Sequence, residues 1–227
     1  MLLLAIDTSG KDGSIALARA GERHAVYDVE LIETVPLAGG TFSAQLVPQI
    51  AFLLSAQGFT KADIDAFVVG SGPGSFTGLR IGLAAVKGLA EVLAKPIAPV
   101  SLLEVCVFSS GAQGRLMAAL DAGRGDVYVG EYEVSASRVQ VPRELMLTRK
   151  EFLARAKGWT VVTPDTALAE VAGESGLTVI VLPPISAAAL ARLGGRKLQS
   201  GDTVTPEQLE ANYIRRTDAE MLEKIGP

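Results

Sequence analysis

The chain has 227 residues, 48% of them hydrophobic and 20% charged, with a formal net charge of −4. That length supports one large domain or two lobes with a real core, while the acidic balance argues against a stand-alone nucleic-acid binder, which needs a concentrated positive footprint. A single cysteine, Cys106, excludes an intrachain disulfide. A single histidine, His24, read as a surface residue in a polar turn, leaves no histidine pair for a metal and no Ser-His-Asp site beside a GxSxG elbow.

Residues 2–6 read as a buried strand that Asp7 ends, far short of a signal segment or a membrane span, so a cytoplasmic protein is expected. Residues 14–18 return as a second strand after a turn holding Gly10 and Gly13, and residues 25–35 add a third. Over residues 42–57, Leu46, Ile50, Leu53 and Leu54 recur at helical spacing. Gly58 is the stop, and Pro48 predicts a kink or a late helix start. A strand at residues 66–69 leads into GSGPGSFTGLRIG, then a helix over residues 76–94 closed by Lys95-Pro96. A short strand at 97–100 and a helix capped by Ser101 through Phe108 follow.

After Gly111 the pattern restarts, with a strand at 116–120, a turn at 121–126 and a return strand at 127–134. LLLAID-TSGKDG-SIALA and LMAALD-AGRG-DVYVG are both an apolar strand ending in Asp, a small-residue loop and a second strand. They are either two ordinary hairpins or the mark of two related halves. A helix at 148–157, strands at 160–163 and 178–182, and helices at 186–193 and 206–213 complete the chain.

The five glycines of residues 70–82 invite a phosphate reading, because a helix N-terminus offers free N–H groups and partial positive charge. The spacing fits neither nucleotide pattern: Leu79 follows Gly78 where Walker A has Lys, and Thr77 stands where a dinucleotide fingerprint has its third glycine. On a helical wheel Arg80, Lys87 and Glu91 fall in a polar stripe roughly 40° wide. Leu79, Leu83, Val86, Ala90 and Leu93 take one flank, and Gly78, Gly82, Ala85 and Gly88 another, beside Ile81 and Val92. The apolar arc is about 220°, against the ~100° a surface helix needs. Both flanks are covered within this chain, or the small-residue flank meets a second protein; periodicity does not separate the two.

GPGSFTGLRIG at residues 72–82, with LLLAIDTS at 2–9, VSLLE at 100–104, LDAGRGDVY at 120–128 and the C-terminal Asn212-Tyr213-Ile214-Arg215, resembles the TsaB (YeaZ) family. The resemblance implies an α/β fold of the actin/Hsp70-like (ASKHA, RNase H-like) class, with two related lobes. These are a first lobe at residues 1–104, with residues 206–227 packing back on it, and a second at 105–205. It implies a non-catalytic subunit that dimerises with and activates a TsaD-type paralogue in threonylcarbamoyladenosine formation, at adenosine 37 of tRNAs reading codons that begin with A. A TsaE-like ATPase joins the assembly, tRNA is met only through the complex, and the unpartnered chain forms a homodimer. ATP and metal belong to the partner subunits, since TsaD-type proteins hold their metal through a histidine pair. The long helices of the first lobe would form the interface, carried by Ser43, Leu46, Ile50, Gly74, Ser75, Phe76, Thr77, Gly78, Arg80, Ile81, Gly82 and Ala85. On that reading Gly82→Leu blocks docking and leaves the monomer folded. Phe42-Ser43 stands where family members often carry His-Ser, and the turn Asp121-Ala122-Gly123-Arg124-Gly125 has one arginine fewer than the family's DARRG-like form. Asp7, Thr8 and Ser9 sit where an actin-like fold contacts phosphate. The alternative is therefore an ASKHA phosphotransferase or ATPase acting alone through Asp7 and Asp121, with Gly194-Gly195 as its adenosine-site motif.

Overall fold

The computed structural model describes residues 1–23, 26–135 and 139–214; His24 and Arg215 lie outside them. Strand β1 (Leu2–Asp7) pairs antiparallel with β2 (Gly13–Arg23), Leu2 opposite Arg19 and Asp7 opposite Ser14, and β2 pairs antiparallel with β3 (Val26–Leu37). Helix α1 (Phe42–Ala56) leads to β4 (Ala66–Gly72), which lies parallel to β1. Helix α2 (Phe76–Leu93) leads to β5 (Ile97–Ser101), parallel to β4 and followed by α3 (Leu102–Ser110). The sheet order is β3-β2-β1-β4-β5.

The pattern then repeats. Strands β6 (Gly114–Gly123), β7 (Asp126–Val134) and β8 (Val139–Thr148) form an antiparallel meander. Helix α4 (Arg149–Arg155) leads to β9 (Thr160–Thr163), parallel to β6, and α5 (Thr166–Glu174) to β10 (Thr178–Val181), parallel to β9. The order β10-β9-β6-β7-β8 is the first sheet's order with corresponding strands exchanged. The two similar hairpins occupy the same place in each sheet, and the halves are related.

One unit comprises Met1–Val105 with Ile185–Asn212, and the other takes in Cys106–Pro184. Residues 185–205, read from the sequence as second lobe, thus lie with the first. The cause is α6 (Ala187–Ser200), whose buried side runs through Leu190, Gly194 and Gly195 and packs against the first sheet. Of the segment 206–227, expected to pack back on the first lobe, residues 206–212 belong to the first unit, whereas Tyr213 and Ile214 are grouped with the second. Residues 206–212 form a turn at 206–208 and not the expected helix. Asn212 N, which in a helix would close a turn on Gln208, instead donates to Ser71 O.

Strand β1 is buried at all six positions, as a central strand with helices on both faces must be, and this is why it reads as a continuous apolar run. Leu2, Leu4 and Ile6 join Phe67 and Val69 of β4 in one cluster with Leu46, Ile50 and Leu53 of α1 and Leu79, Leu83 and Val86 of α2. On the opposite face, a Cβ on Gly194 would strike the Val68 side chain, and one on Gly195 would lie 3.5 Å from Leu3 Cδ1. Gly194-Gly195 is therefore the close seat of a helix on a sheet and not an adenosine loop.

Helix α1 runs unbroken through Pro48 and does not start late. Pro48 and Ala44, whose carbonyl the proline leaves without its usual donor, are both exposed, so water satisfies that oxygen. Helix α2 is capped by Ser75, whose Oγ accepts from Gly78 N, and ends on Ala94 in the left-handed region at φ 53°. Strand β8 and helix α5 were not foreseen: Pro142 interrupts the alternation of the first, and Ala167, Ala169 and Ala172 dilute the apolar stripe of the second.

Candidate functional site

Two features of the first unit bear on function: the turn after β1 with the glycine loop that meets it, and the outward side of the α1–α2 pair. Asp7, Thr8 and Ser9 are all buried. Asp7 Oδ1 accepts from Ser9 N at 3.0 Å and from Ser9 Oγ at 2.6 Å, a local turn closed by its own side chain. Burial pushes the Asp7 carboxyl above its ordinary range, against the smaller opposing effect of the two Ser9 bonds. Thr8 Oγ1 donates to Gly78 O at 2.7 Å, and Ser75 N donates to Ser9 O at 2.7 Å.

The glycines of the loop are explained by that turn. A Cβ on Gly78 would collide with the Thr8 carbonyl, one on Gly82 with Thr8 Oγ1, and one on Gly74 with the Ser9 backbone. Donors at the start of α2 are already engaged within the chain, Gly78 N by Ser75 Oγ at 3.2 Å and Leu79 N by Ser75 O at 2.8 Å. A phosphate-binding loop needs glycines so that a ligand can come close. Here the ground is taken by Thr8 and Ser9. Gly78 and Gly82 are internal packing, and the expectation that Gly82→Leu spares the monomer is corrected: the substituted side chain has only the β1 turn to enter. Leu46 and Ile50 are likewise buried in the core below α1. Those four are removed from the partner-facing set.

The remaining expected residues lie at or near the surface. Ser43, Ser75, Phe76, Thr77 and Arg80 are exposed, and Gly74, Ile81 and Ala85 are half-buried. The Arg80 guanidinium stacks over the Phe76 ring at 3.6 Å. Sequence reading missed the apolar part of this surface on α1, where Phe52 is 67% exposed and Val47 56%; Val92, which the wheel sets beside the small-residue flank of α2, is 77% exposed. Val47, Ala51 and Phe52 run along the exposed side of α1, and Ala84, Gly88 and Val92 along that of α2. A Cβ on Gly88 would meet nothing within 4 Å. The available signal was an apolar stripe on α1 offset from the core positions 46, 50 and 53. Large apolar side chains exposed together on two neighbouring helices point to a contact site.

In the second unit, Asp121 is exposed and its Oδ1 accepts from Gly123 N at 3.2 Å in the hairpin turn, where Arg124 sits at φ 56°. Glu131 and Arg155 form a paired-oxygen bridge between β7 and α4, a structural contact. Among the described residues, no group of three or more His, Cys, Asp or Glu side chains is placed to hold a metal.

Comparison with known proteins adds the following. Residues 36–162 match the family model described as TsaD: tRNA N6-adenosine threonylcarbamoyltransferase. The chain is 30% identical, over 96% of its own length and 96% of the relative's, to the tRNA threonylcarbamoyladenosine biosynthesis protein TsaB of Escherichia coli. It is 36% identical, over 59% of its length and 56% of the relative's, to the protein of the same name from Bacillus subtilis. The solved structure of YeaZ from Pseudomonas aeruginosa superposes with a TM-score of 0.72 at 26% identity, covering 94% of this chain and 99% of that one.

Proposed function

The chain belongs to the TsaB (YeaZ) family of tRNA threonylcarbamoyladenosine biosynthesis proteins, and from that premise we propose that it serves as a non-catalytic docking subunit. On this reading it pairs with and activates a TsaD-type paralogue, which modifies adenosine 37 of tRNAs that read codons beginning with A. The observation that carries the proposal is the outward apolar face of α1 and α2, with Val47, Phe52 and Val92 more than half exposed. The family-model match at residues 36–162 spans both helices, so a TsaD-type paralogue has an equivalent pair to set against them. Two such faces bury each other, and the small residues Ala84 and Gly88 let the helices cross closely. Without the paralogue, a second copy of this chain covers the same face.

ATP and metal chemistry is assigned to the paralogue and to a TsaE-like ATPase in the assembly. Supporting this, the sequence holds one histidine, and the glycine loop that resembles a phosphate cradle packs on Thr8 and Ser9. The net charge of −4 favours contact with tRNA through the complex. Among the described residues no helix is long and apolar enough to cross a membrane, which accords with a cytoplasmic site of action. An ASKHA phosphotransferase acting alone would need Asp7 open to a ligand, and Asp7 is 4% exposed and bonded to Ser9.

The test is purification from the native host under gentle conditions, followed by titration of the isolated proteins. A histidine-containing paralogue is expected to co-purify, and the double variant Phe52→Asp/Val92→Asp should lose it while keeping its melting temperature. The isolated chain should hydrolyse ATP negligibly. Robust turnover that Asp7→Ala abolishes would replace this reading with the phosphotransferase one.

A further inference from the structure

Residues 203–212 carry no helix and no strand beyond one isolated bridge, yet they are pinned at both ends and along their length. Val204 N donates to Ile97 O at 2.8 Å and Ile97 N to Val204 O at 3.2 Å, which ties the segment to the first residue of β5. Glu207 stands beside Lys87 and Glu91 of α2, its carboxyl held below the usual range first by the Thr205 hydroxyl, which donates to it at 2.6 Å. Leu209 is 1% exposed and sits in the cluster beneath α1 and α2. Asn212 N donates to Ser71 O at 2.7 Å. The Asn212 carbonyl oxygen lies 2.9 Å from the point where a Cβ on Gly72 would stand, a point only 3.3 Å from Leu79 Cδ1 in the first turns of α2.

The path is fixed by its anchors. Ile97 lies opposite Phe67, so from the level of Ile97 to that of Ser71 is four residues along the sheet, about 13 Å. The segment takes up its extra length in the turn at 206–208 and in sinking Leu209 into the core between the two ends. It therefore runs alongside α2 from its C-terminal end to its N-terminal end, held at Val204, Leu209 and Asn212.

We propose that residues 203–212 are a brace that seats α2 lengthwise on the first sheet, so that a displacement at Asn212 is delivered through Ser71 and Gly72 to the first turns of that helix. The brace stands on its own contacts. Its consequence for docking rests on the functional reading above, because α2 carries Ala84, Gly88 and Val92 of the partner-facing surface.

The experiment is amide hydrogen exchange on the full-length chain with three variants. Asn212→Pro removes the donor to Ser71, Val204→Pro removes the donor to Ile97, and Glu210→Ala changes an exposed position of the segment. Asn212→Pro should speed exchange at least tenfold in the first turns of α2, Val204→Pro in its last turns, and Glu210→Ala in neither, with β1 and β6 unchanged throughout. Unchanged exchange in α2, or acceleration spread evenly through β1, β2 and α2, would overturn the brace. Titration of the TsaD-type paralogue in parallel separates the two readings. Faster α2 exchange with unaltered paralogue binding keeps the brace and fails the docking face; weaker binding with unaltered α2 exchange does the reverse.

Discussion

In the first unit the helices after the third and fourth strands are 15 and 18 residues long, and their outward sides carry Val47, Phe52 and Val92. The equivalent helices of the second unit, α4 and α5, have 7 and 9 residues and expose Arg149, Lys150, Glu151, Arg155, Glu170 and Glu174 instead. The loops after the first strands differ in parallel: Asp7 is buried beneath a glycine loop, whereas Asp121 stands at an exposed hairpin turn. Both halves keep one strand order, because burying a mixed sheet on two faces restricts the topology. Their surfaces are free to diverge. The difference teaches that in this duplicated fold the surface of the helices, and not the strand order, distinguishes a contact face from a solvated one.

The comparison breaks most severely at the helix glycines. Gly78→Leu should destabilise the first unit by about 3 kcal/mol or more, at the upper end of overpacking, since the added side chain has only the Thr8 backbone to displace. Gly173→Leu in α5, where a Cβ meets nothing within 4 Å, should leave stability within about 0.5 kcal/mol. Denaturant unfolding of the two variants measures both, and equal losses would remove the distinction between internal and open glycines.

The outward face is sharpened by Gly88→Leu. It should leave the melting temperature near that of the parent and weaken paralogue binding by about ten- to a hundredfold, as 1.4 kcal/mol is a factor of ten and overpacking at a close crossing costs about 1–3 kcal/mol. Calorimetric titration would show it. A variant that binds as the parent does would place the helix crossing elsewhere.

The buried loop aspartate of the first unit offers a pH test. Burial raises the folded-state Asp7 carboxyl above its ordinary value near 3.8. The folded state thus holds the proton more tightly than the unfolded chain, so the stabilisation by protonated Asp7 is complete below pH 3.8 and lost as pH climbs through the raised value. Asp7→Asn, which keeps an acceptor for Ser9, should therefore unfold at a higher temperature than the parent at neutral pH, with the gap closing towards pH 4. A gap for Asp7→Asn that does not vary with pH would mean that the carboxyl is not destabilised by its burial. The smallest effect expected is Gly173→Ala in the last turn of α5, which should stabilise the second unit by less than about 0.5 kcal/mol through helix propensity alone, read as a small rise in denaturant midpoint.

Much of the frame was legible in the residues. The apolar runs of β1, β2 and β4, the helical spacing of Leu46, Ile50 and Leu53, and the Lys95-Pro96 stop of α2 are local signals. Each reflects a constraint that acts within a few residues. The paired hairpins marked the duplication, and GPGSFTGLRIG marked the family. What lay beyond reach was the identity of the neighbour. A wheel places Gly82 and Gly88 on one flank of α2, yet Gly82 is shut against Thr8 and Gly88 is open; the β1 turn covers only the first turns of the helix, and nothing in the local pattern says where that cover stops. The same holds for Gly194-Gly195, which look like a loop motif until α6 is laid on Val68 and Leu3, and for residues 185–205, which chain order assigns to one half and packing to the other. Periodicity fixes the direction in which a side chain leaves its own helix. Only the tertiary structure, by bringing residues distant in sequence to van der Waals contact, decides what that side chain meets.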